Sequence, residues 1–529
     1  MSAGTVAAPT FGSLVAARSE DDSTALFFED ERWTWREVVA EAWRRVALVR
    51  SLDLPAPGHV ALACANTPEH LFWWFAAGLG GFTVVGVNPT RRGPDLARDL
   101  RHTDCRLVVH DATRADALDG VDHGVPPDRV LDVEAPAYGD LLASCSPAST
   151  DAALPEPGRT LSLVFTSGTT AAPKAVICSQ SRMGRIALQQ QERRSLTADD
   201  VFYVVMPMFH SNAVMAGVAP AVAAGGAIAL RRSFSASGFL PDVRRYGATF
   251  FNYVGKPLSY VLATPEQPDD ADNSLRIAFG NEANEADIAA FGRRFGCQVV
   301  DSFGSSEGEI RIMRTPETPP GSLGVAPEGT VVLDPETLDE CPRGVFDTEG
   351  RLLNPDEAIG EIVNREGAAL FEGYYANPDA EAARLRHGWA WSGDLAYRDE
   401  AGFWYFAGRT GDWLRVDGEN LAAAPIERLL ARFPGVVAIA VVAAPDPAVG
   451  DQVRAVVEMR PGTTFDPEAF GPFLAAQPDL GTLWAPREVW VVDALPRTPT
   501  NKVVKRAIPD VPEGATVFRR VDRELLYTR

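Results

Sequence analysis

A short hydroxyl-rich segment that ends in a lysine is the part of this chain best suited to chemistry on an anion. Residues 166–174 read TSGTTAAPK and precede the apolar run AVIC. Gly168 can adopt backbone angles that let several main-chain N–H groups converge on one anion. Side chains that add donors or positive charge are those of Thr166, Ser167, Thr169, Thr170 and Lys174. Such a segment is suited to holding a polyphosphate.

The same segment has two further interpretations. The Walker P-loop, G-x-x-x-x-G-K-[ST], requires glycine where this chain has Pro173 and Ser or Thr where it has Ala175. A P-loop kinase or GTPase is therefore set aside. Taken alone, the segment could also be an ordinary Ser/Thr-rich surface loop. Lys502, in LPRTPTNKVVKR, favours the polyphosphate interpretation because its motif is one expected beside a reactive phosphate ester.

Composition argues against several classes of partner. The formal net charge of −21 disfavours nucleic acid and anionic membranes, since both would be repelled.

Six cysteines without C-x-x-C spacing indicate neither a zinc site nor a disulfide framework, and favour the cytoplasm. No signal peptide is predicted. The uncharged stretches 71–87 and 203–230 are interrupted by glycine or proline, which favours buried helices and strands over membrane spans.

Alternation of short β-rich runs with longer amphipathic runs predicts an α/β fold with mostly parallel sheets. Buried strands are predicted at 60–66, 82–88, 106–111, 226–232 and 275–281. Helices are predicted at 36–50, 69–80 and 285–296. Residues 112–160, rich in Asp, Pro, Ala and Ser, are predicted to be an irregular surface segment.

A chain of 529 residues is too long for one ordinary core, so more than one domain is expected. A boundary is predicted near Gly411, which gives a large N-terminal domain of parallel sheets layered with helices at 1–409. Residues 410–529 then form a small, mobile α+β domain with a helix at 425–433, followed by strands.

Two acidic turns add to the candidate site. Phe303 and Glu307 in FGSSE follow a predicted strand and place an aromatic face beside a carboxylate, which suits adenine and Mg²⁺. Asp394 in SGDL and Arg409 in AGRTGD suit ribose hydroxyls. Each turn taken alone is also compatible with a plain surface turn.

Taken in order, the motifs resemble those of the adenylate-forming superfamily, which includes acyl-CoA synthetases, luciferases and adenylation domains of peptide synthetases. The motifs are TSGTTAAPK, MPMFHSN (206–212), FGSSE (303–307), GEI (360–362), FEGYY (371–375), WSGDLAYRDEAGFWYFAGRTGD (391–412), DGEN (417–420) and LPRTPTNK (495–502). The resemblance covers nearly the whole chain. The segments 252–265 and 279–297 are most similar to bacterial long-chain fatty acyl-CoA ligases related to fatty-acid transport proteins.

This resemblance implies an ATP-dependent acid–thiol ligase: a hydrophobic carboxylate attacks ATP to give an acyl-adenylate and pyrophosphate, and CoA then displaces AMP. Glu307 and Thr169 would hold Mg²⁺, and Lys502 would bridge the α-phosphate and the carboxylate. His210 would lie near the carboxylate. The remaining positions implied are Thr166, Ser167, Gly168, Thr170 and Lys174 for phosphate; Gly280, Asn281, Glu282, Asp301, Ser302 and Phe303 for adenine; Asp394 and Arg409 for ribose; and Gly418, Glu419 and Asn420 for thioester formation.

The chain departs from the superfamily pattern at Ala171, where glycine is usual. One interpretation is that this branch tolerates alanine. Another is a partial-reaction enzyme that only converts a supplied acyl-adenylate to its thioester. The acyl group could also pass to an acyl carrier protein in place of CoA. A catalytically inactive acyl- or nucleotide-binding protein is a further hypothesis. The joint retention of five residues argues against it: Lys174, Glu307, Asp394, Arg409 and Lys502. The resemblance also makes a homodimer a reasonable expectation.

Overall fold

The computed structural model describes most of the chain. The described residues are 9–146, 153–166, 174–283, 285–348, 352–409, 413–416, 419–446, 450–477, 480, 483–498, 503–509, 514–521 and 525–529. Two compact units divide the chain: Met1–Ser302 with Glu372–Ala382, and Phe303–Phe371 with Ala383–Arg529. The domain division at residues 409 and 410 stays a prediction.

The first unit alternates helices and strands. Its helices are α1 (Phe11–Ala16), α2 (Trp35–Ser51), α3 (Pro68–Gly80), α4 (Gly93–His102), α5 (Ala112–Leu118), α6 (Pro136–Ser144), α7 (Gln180–Arg193), α8 (Ala219–Ala224), α9 (Phe239–Tyr246), α10 (Pro257–Leu262) and α11 (Glu285–Phe295). Its strands are β1 (Thr24–Phe28), β2 (Glu31–Thr34), β3 (His59–Ala63), β4 (Val84–Gly86), β5 (Cys105–His110), β6 (Val130–Asp132), β7 (Thr160–Thr166), β8 (Lys174–Ser179), β9 (Val201–Val204), β10 (Ala227–Leu230), β11 (Phe250–Val254), β12 (Ile277–Asn281) and β13 (Gln298–Gly304).

Two sheets organise these strands. The first has the order β13-β12-β11-β9-β10-β1-β2, and among its described pairings only that of β1 with β2 is antiparallel. The second has the order β6-β5-β3-β4-β7-β8, in which the described pairing of β7 with β8 is antiparallel and the others are parallel. Each sheet therefore gathers the carboxyl ends of its parallel strands at one edge, which is where ligands bind in open α/β sheets.

The carboxyl ends of the two sheets meet inside the first unit. Asn66, just beyond β3, donates from its side-chain amide to the Met206 carbonyl oxygen at 2.9 Å and accepts from the Met208 amide at 2.9 Å. Gly86, at the end of β4, lies so close to Phe209 that an added Cβ would stand 2.9 Å from the Phe209 Cα. The segment after β9 is thereby held against the second sheet.

Helix α3 illustrates why these helices are buried. From Leu71 onward its sequence, LFWWFAAGLG, is apolar on every face, and Trp73 and Phe75 are fully buried in the core that α2 and the sheets share. The stretch 71–87 is therefore a buried helix followed by β4, as predicted. Among the residues that the structure describes, no helix is both long and apolar enough to cross a membrane.

The second unit is built mainly from antiparallel sheets. Its strands are β14 (Arg311–Met313), β15 (Thr330–Leu333), β16 (Gly360–Asn364), β17 (Leu385–Arg386), β18 (Trp389–Arg398), β19 (Trp404–Arg409), β20 (Trp413–Val416), β21 (Glu419–Ala422), β22 (Val436–Asp446), β23 (Gly450–Met459), β24 (Glu488–Val492), β25 (Thr516–Arg520) and β26 (Tyr527–Thr528). Its helices are α12 (Pro355–Ala358), α14 (Ala423–Leu430) and α15 (Pro467–Ala475), and α13 (Pro378–Arg384) leads back into it from the first unit.

Two sheets organise most strands of the second unit. One has the order β15-β16-β18-β17, with β19 also paired to β18. The other, β21-β20-β23-β24-β25-β26 with β22 on β23, packs a separate apolar core against α14 and α15. The predicted α/β class, with a large N-terminal part and a smaller α+β C-terminal part, is confirmed.

The predicted irregular segment at residues 112–160 is wrong over much of its length. It contains α5, β6 and α6. The Asp111 side chain caps α5 by accepting from the Thr113 amide at 3.0 Å, and α6 begins at Pro136. These elements are too short for their apolar periodicity to stand out from an Asp- and Pro-rich background.

The close approach at Gly86 generates a stability prediction. Gly86→Ala adds a methyl group where the Phe209 backbone leaves no room, and overpacking of this kind costs about 1–3 kcal/mol. We expect a lower thermal unfolding midpoint by circular dichroism. The control is Gly139→Ala in α6, where an added Cβ meets nothing within 4 Å and should leave the midpoint equal or slightly higher. Equal midpoints for Gly86→Ala and wild type would contradict the close contact.

Candidate functional site

The proposed phosphate segment joins two paired strands. Thr166 ends β7 and Lys174 begins β8, and the two residues are directly opposite each other in the antiparallel pair. The Lys174 ammonium lies 5.6 Å from the centroid of the Tyr374 ring, within range of a cation–π contact. Ser167, Gly168, Thr169, Thr170 and Ala171 lie outside the described residues.

A return segment covers the outer edge of β8. The Tyr375 amide donates to the Ala175 carbonyl oxygen at 2.8 Å, and the Ile177 amide donates to the Gly373 carbonyl oxygen at 3.1 Å. The Glu372 carboxylate accepts from both the backbone and the hydroxyl of Ser179, at 2.7 and 2.6 Å. The FEGYY motif therefore supports the strand that carries Lys174.

Tyr375 anchors this return segment from the other side. Its hydroxyl donates to Asp104 at 2.9 Å, and its carbonyl oxygen lies 3.0 Å from the His102 Nε2. Burial, reinforced by the Asp104 carboxylate, raises the pKa of the Tyr375 hydroxyl to about 12. The hydroxyl therefore stays protonated at neutral pH and remains a donor.

His210 follows β9 at the carboxyl edge of the first sheet. The Asn212 backbone N–H donates to its Nδ1 at 3.3 Å, so Nδ1 acts as the acceptor and the proton of the neutral ring resides on Nε2. A π-helix, Ala213–Val218, begins directly after Asn212. Because π-helical turns are frequent at functional sites, this π-helix is consistent with a functional site at this edge of the sheet.

A hydrogen-bonded chain runs from this segment to the neighbouring strands. The Asn212 side chain donates to the Tyr253 carbonyl oxygen at 3.3 Å and accepts from the side chain of Asn252 at 2.7 Å. The Tyr253 hydroxyl donates to Asp301 at 2.9 Å, and the Ala283 amide donates to the same carboxylate at 3.1 Å. Hydrogen bonds within the first unit thus link the segment after His210, predicted to lie near the substrate carboxylate, to Asp301, predicted to lie near adenine.

The adenine-side residues cluster at the ends of β12 and β13. The Asn281 side chain donates to the carbonyl oxygen and hydroxyl of Ser302. Gly280 passes so close to Tyr253 that an added Cβ would stand 2.3 Å from its carbonyl oxygen. Glu282 has a positive φ of 68°, which turns the chain sharply away from the strand.

The second unit holds the remaining described candidates. The Phe303 and Phe406 rings lie 5.8 Å apart. The Arg409 Nε lies 3.2 Å from Asp394, and the two residues are opposite each other in the β18–β19 pair. The proposed ribose pair is therefore preformed by strand register.

Glu361 of the GEI motif supports the turn that carries Asp394. Its buried carboxylate accepts from the Gly393 amide at 2.7 Å and from Arg386 at 2.9 Å. The Ser392 hydroxyl accepts from the Asp394 amide at 2.9 Å. These bonds fix the SGD turn immediately before the proposed ribose-binding carboxylate.

Glu307 belongs to a second charged group. Its carboxylate lies 4.0 Å from Arg384, which also forms an ion pair with the fully buried carboxylate of Glu309. Arg384 donates further to the Ser392 carbonyl oxygen at 2.7 Å. One guanidinium thus connects the FGSSE and SGD motifs.

Several predicted positions have no described side chain. Lys502 and Gly418 lie outside the described residues, and only the backbone of Glu419 and Asn420 is described, in β21. Sequence reasoning missed Asn212, Tyr253, Glu309 and Arg384 as supporting residues. Asn212 and Glu309 lie in the MPMFHSN and FGSSEGE segments, and Tyr253 lies in the segment 252–265. No sequence signal distinguishes Arg384 from an ordinary structural residue.

Comparison with known proteins gives concordant results. The family model described as AMP-binding enzyme matches residues 14–375, and that described as AMP-binding enzyme C-terminal domain matches residues 425–502. The chain is 50% identical to the steroid-22-oyl-CoA synthetase of Rhodococcus jostii (strain RHA1), over 95% of this chain and 91% of that protein. It is 48% identical to the medium/long-chain-fatty-acid–CoA ligase FadD17 of Mycobacterium marinum, over 94% of this chain and 96% of that protein.

A solved structure supports the fold. The crystal structure of ATP-bound MatB from Rhodopseudomonas palustris is similar with a TM-score of 0.81, covering 94% of this chain and 98% of that chain. Identity is 23%, so this likeness concerns the fold alone.

The contacts of Glu361 generate a prediction for nucleotide binding. Each of its two oxygens accepts from a donor, so Glu361→Gln replaces one acceptor by an NH₂ group and loses one contact. We expect the KM for ATP to rise about tenfold with little change in kcat, measured by pyrophosphate release. Glu357→Gln, an exposed change in α12, is the control. An unchanged KM would show that the Gly393 turn needs no support from Glu361.

Proposed function

The chain belongs to the AMP-binding enzyme family, and on that basis we propose that it activates a medium to large hydrophobic carboxylic acid and forms its CoA thioester. It is an ATP-dependent acid–thiol ligase, with CoA as co-substrate and Mg²⁺ as the metal that accompanies ATP. The observation that carries the proposal is that the carboxyl ends of the two sheets meet beside His210. The chain in which they meet is 48–50% identical to two acyl-CoA ligases.

The reaction has two steps. In the first, an oxygen of the substrate carboxylate attacks the α-phosphorus of ATP, the bond to the β-phosphate oxygen breaks, and pyrophosphate leaves. In the second, the CoA thiolate attacks the acyl carbon, and the carbon–oxygen bond to AMP breaks. Lys174 and Lys502 would offset negative charge on the phosphates, and the Nε2 proton of His210 is suited to donate to a carboxylate oxygen.

Glu307 suits a metal that arrives with its nucleotide. Mg²⁺ usually binds proteins through one or two carboxylates and takes its other ligands from phosphates and water. Within the described part of the chain, no cluster of three or more His, Cys, Asp or Glu residues could hold a metal by itself. Glu307, with Thr169 as the other proposed ligand, fits this pattern. When bound, Mg²⁺ neutralises charge on the triphosphate.

The acyl side of the site favours an apolar tail. Residues 205–230 contain no Asp, Glu, Lys or Arg, and Met206, Met208 and Phe209 are buried beside His210. A second carboxylate on the substrate would find no cationic partner in this segment. The relatives are named for a steroid acid and for medium- and long-chain fatty acids, and we propose an acid of that hydrophobic class.

We retain the remaining expectations as proposals. Residues 1–409 would carry out ATP and acyl binding, and residues 410–529 would supply Lys502 for adenylation and Gly418, Glu419 and Asn420 for thioester formation. A homodimer and a cytoplasmic location are kept, the latter because all six cysteines are free thiols, as a reducing compartment would leave them. CoA is the proposed acceptor, and an acyl carrier protein is the acceptor that assays must separate from it.

The proposed substrate class predicts a clear preference. We expect kcat/KM for palmitate or a steroid acid with a side-chain carboxylate to exceed that for malonate at least about a hundredfold, because several methylene groups are buried. Thioester formation would be measured by chromatography and mass spectrometry with ATP, Mg²⁺ and either CoA or a phosphopantetheinylated carrier protein. Preference for malonate would overturn the substrate class, and product only with the carrier protein would overturn CoA as acceptor.

The proposed role of Lys502 predicts a separation of the two steps. Lys502→Ala should slow pyrophosphate release about a thousandfold, because the positive charge near the α-phosphate is lost. Thioester formation from a supplied acyl-adenylate and CoA should stay close to the wild-type rate. Lys505→Gln is the control. It removes a nearby positive charge whose ammonium pairs with Glu427 at 2.9 Å and which has no proposed role at the phosphates. Equal losses in both half-reactions would contradict the assignment. Wild-type protein that forms thioester only from the supplied adenylate would instead support the partial-reaction hypothesis raised by Ala171.

A further inference from the structure

A buried carboxylate two residues beyond the proposed metal ligand has no assigned role. Glu309 has a fully buried side chain in the second unit. It accepts from the Ser305 hydroxyl at 2.9 Å and forms an ion pair with Arg384, and its carbonyl oxygen accepts from the Asn364 side chain at 2.6 Å. Burial of an ionised carboxylate is costly unless it is paired, so the Glu309–Arg384 pair is a defined feature of the site.

Arg384 pairs more closely with Glu309 than with Glu307. Its Nε and Nη2 both face Glu309, and its Nη1 donates to the Ser392 carbonyl oxygen at 2.7 Å. The shortest separation between Arg384 and Glu307 is 4.0 Å, which is longer than a hydrogen bond. The positive charge of Arg384 therefore lies near Glu307, while its hydrogen bonds go to Glu309 and Ser392.

We propose that Glu309 is a positioning residue for the metal accompanying ATP: it holds Arg384 so that this guanidinium does not pair closely with Glu307, the proposed metal ligand. Glu307, Glu309 and Arg384 together carry one negative charge in excess. Without Glu309 the trio would be neutral, and Arg384 would turn to the Glu307 carboxylate. The inference rests on the proposed function, because it concerns the metal that enters with the nucleotide.

The first test measures metal binding directly. Wild-type protein and Glu309→Gln would be titrated with Mn²⁺ in the presence of α,β-methylene-ATP, and free Mn²⁺ would be followed by electron paramagnetic resonance. We expect the Mn²⁺ concentration at half-saturation to rise about tenfold in Glu309→Gln. Glutamine keeps the shape of the side chain and can still contact Ser305, so the fold should persist. Glu336→Gln, an exposed change, is the control.

A charge-restoring double variant separates this role from simple structural support. Glu309→Gln combined with Arg384→Gln leaves Glu307 as the only charge of the trio and restores the single negative charge. We expect its half-saturation to fall at least about threefold below that of Glu309→Gln, while loss of the Arg384 bond to the Ser392 carbonyl oxygen keeps it above wild type. If Glu309 and Arg384 only stabilised the fold, the double variant would bind Mn²⁺ no better than the single variant.

The remaining outcomes distinguish the inference from the proposed function. Thioester formation from a supplied acyl-adenylate involves no triphosphate, and its rate should be unchanged in Glu309→Gln. Equal Mn²⁺ binding by Glu309→Gln and wild type would overturn the positioning role alone. Failure of the wild-type protein to retain Mn²⁺ with the nucleotide analogue would overturn both the positioning role and the proposed use of ATP.

Discussion

The parallel direction of the strands is the constraint on which the first unit depends. Parallel strands deliver every following loop to the same edge, and the hydrogen bonds of Asn66 join the edges of the two sheets. His210, Glu282 and Ser302 therefore owe their positions to strand register and to the point at which each strand ends. The loops add only short extensions to this frame. A ligand-binding edge made this way needs few dedicated residues beyond those that already build the sheets.

Buried charge has a comparable role in the second unit. Glu309 and Glu361 are both buried, and each is paired with an arginine as well as with a neutral donor. Such pairs contribute little net stability because desolvation offsets their attraction, but they tolerate few alternative arrangements. The turn before Asp394 is held from both sides, by Gly393 on Glu361 and by the Ser392 carbonyl on Arg384.

Much of the fold and part of the site could be predicted from the sequence. Long apolar runs such as those of α3 and β5 have strong periodicity or continuous hydrophobicity, and motif order identified the family correctly. Within each motif, the residue types indicate the chemistry that those positions are suited to. The functions of individual site residues remain predictions, and Lys502 and the segment around Thr169 lie outside the described residues.

Long-range support could not be predicted in the same way. Tyr253 reaches Asp301, and Arg384 reaches Glu309, across 48 and 75 positions of sequence, and a single sequence contains no signal for such pairings. The short helices α5 and α6 were missed for a different reason, because two turns of helix present too few apolar residues to establish a period.

The discontinuity of the first unit has a consequence for biosynthesis. Strand β8 lies at the end of its sheet, and its outer edge is covered by the backbone around Tyr375. The ribosome completes about 200 further residues after β8 before that cover emerges, so the nascent chain carries an unprotected, apolar strand edge in the interval. Any fragment that stops at Ser302 keeps that edge permanently open, and self-association rather than a clean independent unit is its expected fate.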